Sequence, residues 1–210
     1  MDITPHDLLN IKPDGLGIGE CSAWIGSALK KAPFVVVRRA PQVGAHIPVG
    51  VRGSVRTERY ACMVPMIHIL TCIKPEMLAQ SKSWRQNRRF SQELLSALEM
   101  IDQVVDAYKL SWGPTGSVGF ELGTGLAVVS PASDLDFLLR ADSYLPPSLI
   151  GELYHEMQRV EVKLDIQLET PQGAVALTEY LSGKQPFLLR TLAGPRLFTQ
   201  PRQMLWEEER

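Results

Sequence analysis

Residues 110–140 read LSWGPTGSVGFELGTGLAVVSPASDLDFLLR, and two features of this stretch decide the interpretation of the chain. The first is the pair Gly116 and Ser117, in a turn-rich segment that follows a predicted helix. The second is a D-x-D motif, Asp134 and Asp136, at the head of an apolar segment. Alternate side chains of a strand share a face, so the two carboxylates are predicted to point the same way. They repel each other by roughly 1 kcal/mol in water and about 4 kcal/mol near a protein surface, which favours a site where divalent cations lie between the acids and substrate phosphates.

Each feature alone has an ordinary explanation. A single D-x-D usually marks a solvated strand edge or a turn, and a Gly-Ser pair is common. Their combination is more specific, because Gly116 and Ser117 precede the acids by a connection of sixteen residues, 118–133. Glycine lets the backbone approach a phosphate closely, and a serine hydroxyl donates a hydrogen bond to it. We therefore expect Gly116 and Ser117 to anchor phosphates beside Asp134 and Asp136.

A G-S turn followed by a strand that carries D-x-D resembles the nucleotidyltransferase superfamily that includes DNA polymerase β. The connection here is long for that superfamily. The run WGPTGSVGFELGTGLAVVSPASDLDFLLR resembles one branch, the malonate decarboxylase holo-[acyl-carrier-protein] synthases, also called phosphoribosyl-dephospho-CoA transferases. The similarity extends to PHDLL, VVVRRAP, IPVGVRG and VKLDIQLETPQGAVALTEY, and so covers nearly the whole chain.

The resemblance implies an α+β fold with two domains. A nucleotidyltransferase-like domain of the polymerase β type, a mixed sheet with helices, is expected over residues 86–210. A smaller, basic α/β domain that binds the donor or the carrier protein is expected over residues 1–85. The implied donor is 2′-(5″-triphosphoribosyl)-3′-dephospho-CoA, and the implied acceptor is a serine of the acyl-carrier subunit of malonate decarboxylase. The products are a phosphodiester and pyrophosphate, and the expected cofactor is Mg²⁺.

A third carboxylate is expected from the later strand VEVKLDIQLET, whose apolar and polar residues alternate. A polar face of this kind is ordinary for a half-exposed strand. In the family that the chain resembles, however, a later strand beside the D-x-D strand supplies a further acid, and Asp165 falls at that place. We expect Asp165 to be the third metal ligand or the base, with Glu161 and Glu169 as alternatives.

Arginines are concentrated in the first part of the chain. Residues 30–59 hold seven lysines and arginines against one acid, and Arg39, Arg52 and Arg56 are the expected phosphate ligands, because arginine offers paired donors to phosphate oxygens. The alternative is a solvated basic edge strand. A second basic stretch, residues 77–92, contains no acid. It is either a docking surface for an acidic carrier protein or a solvated helix face.

Composition limits the classes of protein. The chain has 210 residues, 45% hydrophobic and 21% charged, with a net charge of −1. These values are typical of a soluble globular protein and argue against a general nucleic-acid binder. The N-terminus lacks a signal-peptide pattern and no apolar run approaches the roughly eighteen residues that span a bilayer, so the cytoplasm is the expected location. Three scattered cysteines predict no disulfide framework or zinc site, and TGSVG at residue 115 lacks the first glycine of a nucleophile elbow.

Periodicity predicts the main elements. The expected helices span residues 23–32, 91–108 and 148–160. A fourth is expected to start at Pro75, and a fifth to be capped by Thr170 and to end at Gly183. The expected strands are 34–37, a strand or hairpin over 47–61, a buried strand over 61–73 that is interrupted or bent near Pro65, and 160–170.

Two other functions remain open from the sequence. One is a different Mg²⁺-dependent nucleotidyltransferase that modifies a small molecule or another protein and shares the aspartates but uses another donor. The other is a non-catalytic module that binds a nucleotide or a carrier protein and releases no pyrophosphate. The D-x-D motif argues against the second, since a binding module has no need of paired carboxylates.

Overall fold

The computed structural model describes residues 2–12, 15–16, 23–55 and 57–207, and within them it contains two β-sheets and six α-helices, which confirms the α+β class. The first sheet is antiparallel throughout, in the order β4-β3-β2-β1-β5. Its strands are β1 Leu8–Ile11, β2 Phe34–Val37, β3 His46–Arg52, β4 Arg59–Pro65 and β5 Ile69–Ile73.

One helix covers one face of this sheet. Helix α1, Ala23–Lys31, buries Ile25 and Leu29 against apolar side chains that alternate along the strands, among them Val35 and Val37. The opposite strand positions, such as Val36, are only half-buried and face the other way. The first sheet thus has a core of its own on one side and a second face that is available to the rest of the chain.

The second sheet has the order β11-β10-β9-β8-β7-β6, and its β7–β8 pair is parallel while the other pairs are antiparallel. Its strands are β6 Ser111–Pro114, β7 Leu135–Arg140, β8 Leu164–Thr170, β9 Gly173–Ala176, β10 Phe187–Thr191 and β11 Gly194–Phe198. The remaining helices are α2 Pro75–Ser81, α3 Gln92–Ala107, α4 Gly116–Thr124, α5 Pro147–Met157 and α6 Leu177–Leu181.

Helices α3 and α5 cover one face of the second sheet. Ser91 accepts a hydrogen bond from Leu94 N and caps α3, whose apolar stripe includes Leu98, Ile101 and Val105. Strand β7 contributes Leu135 and Phe137 to the same core, so Asp136 points away from it. The acids therefore lie on the face of the sheet that the long helices leave free.

The free face of the second sheet meets the free face of the first. Leu8 of β1, Leu78 of α2 and Phe120 of α4 are buried together, with Val36 and Leu126 packed beside them. Helix α2 follows the first sheet in the chain but packs on β6 of the second. The N-terminal sheet therefore lies over the side of the second sheet that carries Asp136, and the two halves of the chain pack against each other.

Three sequence predictions about elements were wrong at least in part. The interruption expected near Pro65 is observed, where β4 ends and a short 3-10 helix spans Met66–His68, but the stretch 61–73 is largely half-exposed or exposed and not buried. The segment after Thr170 starts as a strand, because the Thr170 hydroxyl donates to Gly173 O and closes a turn from β8 into β9. Gly116 and Ser117 begin a helix and are not part of an irregular turn.

Two smaller findings complete the description of the fold. Cys72 is a thiol that donates a hydrogen bond to Asp7 Oδ2, and Cys21 lies outside the described residues. Across the described ranges, every helix is too short or too polar to cross a bilayer.

Candidate functional site

The centre of the site is the start of helix α4. Gly116 is the first residue of the helix and has φ +56°, a left-handed conformation that glycine adopts without steric cost. A Cβ atom at this position would overlap Asp136 Oδ2. The side chain of the preceding residue, Thr115, makes no capping hydrogen bond within the described part of the chain. The first amide groups of α4 are therefore available to an anion.

Strand β7 delivers Asp136 to this point, and β8 delivers Asp165 beside it. Asp136 O accepts a hydrogen bond of 2.8 Å from Thr115 N, which ties the strand to the start of α4. In the parallel β7–β8 ladder Asp136 is the direct partner of Asp165. Residues paired in register point to the same face of a sheet, so both carboxylates lie on the face that the first sheet covers.

Asp134 lies just before β7 and forms an ion pair with Lys163, at 2.7 Å between Lys163 Nζ and Asp134 Oδ2. This hydrogen bond, and then the charge of Asp134, raise the pKa of Lys163. Asp165 and Asp136 add smaller contributions in the same direction. The Lys163 ammonium group is thus influenced by the charges of all three predicted acids, Asp134, Asp136 and Asp165.

The donor set suits a hard cation. Carboxylate oxygens are the ligands that Mg²⁺ prefers, and proteins usually hold it by one or two carboxylates while substrate phosphates and water supply the other ligands. In the described ranges, no group of three or more His, Cys, Asp or Glu side chains is arranged to hold a metal ion on its own. The carboxylates of Asp134, Asp136 and Asp165 thus have the donor chemistry that Mg²⁺ prefers, but the three are not grouped closely enough to hold the ion by themselves.

A cavity of about 530 Å³ opens beside Asp136, between the two sheets, whereas Asp134 and Asp165 are outside the set of described residues that line it. The second half of the chain contributes Thr115, Gly116, Asp136 and Gln167 to its wall. The rest of the wall comes from the first half: His6, Val36, Arg38, Gly50, Val51, Arg52, Arg59, Tyr60 and Ala61. Gly50 leaves room for the stem of Arg38, whose carbon atoms lie 3.7 Å from where a Cβ would be.

The cavity has a strongly cationic wall. Arg52 and Arg59 are direct cross-strand partners in β3 and β4, and like charges in this relationship are destabilising. Burial lowers the pKa of the Arg52 guanidinium, and repulsion from Arg59 lowers it further, whereas the Asp136 carboxylate raises it. Arg38 lines the same space. An anion between these guanidinium groups would relieve their repulsion and receive paired hydrogen bonds.

The predicted phosphate ligands occupy different places in the structure. Arg52 lines the cavity, whereas Arg39 is paired with the buried carboxylate of Glu169. Arg56 lies outside the described residues. Ser117 is half-buried in the first turn of α4 and, like Arg39, is outside the set of described residues that line the cavity. The structure thus brings Gly116, Asp136 and Arg52 together.

The alternative third acids lie elsewhere. Glu169 holds Arg39 at the far end of β8, and Glu161 lies before β8 in a bend. Asp165 alone of the three is the ladder partner of Asp136.

Sequence reasoning missed His6, which lines the cavity with φ +76°. Burial lowers the pKa of His6 to about 4, and repulsion from guanidinium groups, first that of Arg39, contributes. A hydrogen bond with Gln167 acts in the opposite direction. His6 is therefore neutral at neutral pH. An isolated histidine in the sequence gives no such signal, although the strained backbone of a non-glycine residue often accompanies a functional site.

Arg38 and Arg59 belong to the basic segment 30–59 that was expected to bind phosphates, but they were not among the three arginines singled out within it. Val36 and Arg38 both line the cavity, whereas Arg39 reaches the Glu169 carboxylate, which lies 3.9 Å from His6.

The second basic stretch is largely neutralised within the molecule. Lys82 pairs with Asp102 at 2.6 Å, and Arg85 with Glu99 at 2.7 Å. Arg89 pairs at 2.8 Å with Glu121, which also accepts hydrogen bonds from the backbone of residues 128 and 129. These contacts hold the connection between α4 and β7 in place, and they support the interpretation of this stretch as a structural surface.

Comparisons with known proteins identify relatives over the whole chain. Residues 4–75 match the sequence profile of the phosphoribosyl-dephospho-CoA transferase MdcG N-terminal domain, and residues 78–201 match that of the C-terminal domain. A Pseudomonas aeruginosa protein named phosphoribosyl-dephospho-CoA transferase is 36% identical over 206 residues, 94% of this chain and 92% of the relative. Proteins of the same name from Pseudomonas putida and Klebsiella pneumoniae are 36% and 35% identical, covering 96% and 98% of this chain and 96% and 97% of the relatives. No solved structure matches the chain.

Proposed function

The chain belongs to the phosphoribosyl-dephospho-CoA transferase family, whose named members are transferases, and from this we propose the reaction that it catalyses. The donor is 2′-(5″-triphosphoribosyl)-3′-dephospho-CoA, and the acceptor is a serine of the apo acyl-carrier subunit of malonate decarboxylase. The serine hydroxyl receives the phosphoribosyl-dephospho-CoA unit as a phosphodiester, and pyrophosphate leaves. One observation carries this proposal: Gly116 at the start of α4 lies against Asp136 in a cavity walled by Arg38, Arg52 and Arg59.

The arrangement of the second half supports a nucleotidyltransferase-like fold of the polymerase β type. Strands β7 and β8 are parallel neighbours that carry Asp136 and Asp165 side by side. The helix that starts at Gly116 contacts the same strand. This arrangement sets a helix start that can bind an anion next to carboxylates that can bind a cation, and both are useful in phosphate transfer.

Asp134, Asp136 and Asp165 would hold Mg²⁺ against the donor phosphates. When bound, the metal ion neutralises phosphate charge and stabilises the attacking and leaving oxygens of an in-line displacement. Lys163 occupies part of this role in the donor-free protein, since its ammonium group already neutralises Asp134 at 2.7 Å.

The chain's own residues then position the reactants. Arg38, Arg52 and Arg59 bind the triphosphate through charge-assisted hydrogen bonds, and the first amides of α4 receive the leaving pyrophosphate. The acceptor oxygen forms a bond to the α-phosphorus while the bond to the pyrophosphate oxygen breaks. The hydroxyl proton passes to the Asp165 carboxylate and then to water. Such reactions depend on positioning and charge stabilisation, so no covalent enzyme intermediate is involved.

Mass spectrometry of the apo carrier subunit tests the proposal. The full-length protein is incubated with Mg²⁺, the carrier and either the triphosphoribosyl-dephospho-CoA donor or ATP. We expect the carrier to gain one phosphoribosyl-dephospho-CoA unit at a serine, with one equivalent of pyrophosphate released. Asp136→Asn should reduce transfer at least about 100-fold, whereas Asp142→Asn, a change at an exposed acid, should not affect it.

The other outcomes identify the alternatives. Transfer from ATP but not from the dephospho-CoA donor would show a different nucleotidyltransferase. Donor binding without pyrophosphate release in the presence of the carrier would show a non-catalytic module. Full activity of the Asp136→Asn variant would refute the assignment of the acids.

A further inference from the structure

A second cavity adjoins the first and shares one residue with it. It has a volume of about 200 Å³ and lies between helix α1 and the end of α4 with the segment that follows. Arg52 lines both cavities. A molecule whose phosphates lie beside Arg52 in the larger cavity can therefore extend into the smaller one without leaving the protein surface.

The walls of the second cavity are mainly apolar and partly aromatic. Helix α1 contributes Trp24 and Ala28, and the opposite side contributes Phe120 and Leu126. The Arg52 guanidinium lies over the Phe120 ring, with Arg52 Cζ 5.6 Å from the ring centroid. Two aromatic side chains and a planar cation provide surfaces on which a flat heteroaromatic ring stacks.

The polar rim of the cavity is joined by hydrogen bonds of Glu58. The carboxylate of Glu58 accepts hydrogen bonds from Ser54 N at 2.8 Å, Ser54 Oγ at 3.0 Å and Val55 N at 3.3 Å. These bonds close the loop between β3 and β4 at the edge of the cavity. Lys31 of α1 lies on the same rim. The opening is thus held by contacts that do not need a ligand.

The size of the cavity limits what it holds. Sites for whole drug-sized ligands have volumes of roughly 300–1,000 Å³, and about 200 Å³ is smaller than this range. The second cavity therefore fits one ring system of a larger molecule. A purine presents two flat faces to aromatic walls, whereas a pantetheine chain has no ring and carries amide groups that apolar walls leave without partners.

We propose that the cavity between Trp24 and Phe120 binds the adenine ring of the dephospho-CoA part of the donor, while Arg52 separates the ring from the phosphates. The inference rests on the proposed function, which supplies a donor with such a ring. It assigns the first half of the chain a role in donor specificity that is separate from phosphate binding.

Isothermal titration calorimetry on the full-length protein tests this with four probes: AMP, dephospho-CoA, pantetheine 4′-phosphate and inorganic pyrophosphate. Trp24→Ala should weaken AMP and dephospho-CoA at least about five-fold and leave pantetheine 4′-phosphate and pyrophosphate within about two-fold. Trp24→Phe, which keeps an aromatic ring, should retain most of the affinity. Ala28→Leu, which fills the cavity and keeps Trp24, should weaken the same two probes, and it serves as the second variant if Trp24→Ala does not fold.

Three results would overturn the inference: AMP and dephospho-CoA do not bind the unmodified protein; both folded variants bind them normally; or the variants weaken pantetheine 4′-phosphate in place of AMP. If AMP and dephospho-CoA behave as expected but the carrier subunit is never modified, the inference stands and the proposed function fails. The two failures are therefore distinguishable.

Discussion

The backbone of Gly116 lies so close to the side chain of Asp136 that any side chain at position 116 would displace the Asp136 carboxylate. The contact joins the start of α4 to the second residue of β7. It fixes the distance between the amide groups that receive an anion and the acid that would hold a cation. The geometry of the site therefore depends on the absence of a Cβ atom at position 116.

Replacing Gly116 by alanine should abolish transfer while the protein still folds. The new Cβ would displace Asp136, and a misplacement of this kind costs at least about 100-fold in rate. Gly125→Ala is a matched control, since Gly125 ends the same helix with φ +73° and a Cβ atom there would meet nothing within 4 Å. Both variants should lose about 1–2 kcal/mol of stability from the left-handed backbone. Equal transfer rates of the two variants would contradict the role of the Gly116 contact.

Arg52→Met should weaken pyrophosphate binding about ten-fold or more, because a charge-assisted hydrogen bond to the anion is lost. The free energy of unfolding should change by less than about 1 kcal/mol, since the loss of cation–π contact with Phe120 is offset by relief of the repulsion from Arg59. Arg88→Met, at an exposed position outside the cavity, should change neither quantity. Calorimetry and urea unfolding measure both. Unchanged pyrophosphate affinity in Arg52→Met would argue against a phosphate site in the cavity.

Arg39→Met should have the opposite effect to Arg52→Met: it should lower the free energy of unfolding and leave the pyrophosphate affinity nearly unchanged. It leaves the buried Glu169 carboxylate without its ion-pair partner, and breaking a buried pair in this way costs roughly 3–5 kcal/mol. Adding Glu169→Gln should recover much of this loss, while the folded single variant should bind pyrophosphate within about two-fold of the unmodified protein. A variant that loses pyrophosphate affinity and keeps its stability would restore Arg39 as a phosphate ligand.

Stability should decrease between pH 6.5 and 4 because of His6. The pKa of His6 is about 4 in the folded protein and 6.5 as its ordinary value, so the unfolded chain binds the extra proton in this interval. The free energy of unfolding therefore falls as the pH falls, by up to on the order of 3 kcal/mol. Urea unfolding at several pH values measures the slope. His6→Asn tolerates the positive φ and should show a shallower slope; an identical slope would contradict the buried neutral imidazole.

Lys163→Ala should increase the affinity of the donor-free protein for Mn²⁺ by about two- to five-fold, the range expected from an exposed ion pair. The reason is that the ammonium group competes with the metal ion for Asp134, which it contacts at 2.7 Å. Electron paramagnetic resonance of free Mn²⁺ gives the affinity without reference to activity. Asp134→Asn should weaken Mn²⁺ binding. An Asp134→Asn variant that binds Mn²⁺ normally would remove Asp134 from the metal site.

Several elements were predictable because one local signal determines each of them. The apolar stripe and the serine cap of α3 place that helix within one residue of its observed start, and alternation around Asp136 gives the buried and polar faces of β7. Asp165 was predicted because the resemblance places an acid on the strand beside the D-x-D strand. The register that makes it the partner of Asp136 is a tertiary property.

Other features depend on contacts between distant parts of the chain. The segment after Pro171 has helical composition, but Gly173, at φ +145°, turns the backbone so that Ala174 and Val175 pair with β8. Arg39 was chosen over Arg38 from composition, and the contacts that distinguish them, the cavity for Arg38 and the Glu169 carboxylate for Arg39, are tertiary. His6 becomes informative only when the N-terminus is placed over β8, more than 150 residues away in the sequence.

The cavity has guanidinium groups from the first half of the chain on one side and the Asp136 carboxylate from the second half on the other. Evolution can therefore not assemble this site by exchanging either half independently. A chimera that joins the first seventy-odd residues of one distant homologue to the remainder of another would inherit both sets of charges but not their spacing. Lineages that keep the activity must pass on the two segments as a single co-adapted unit.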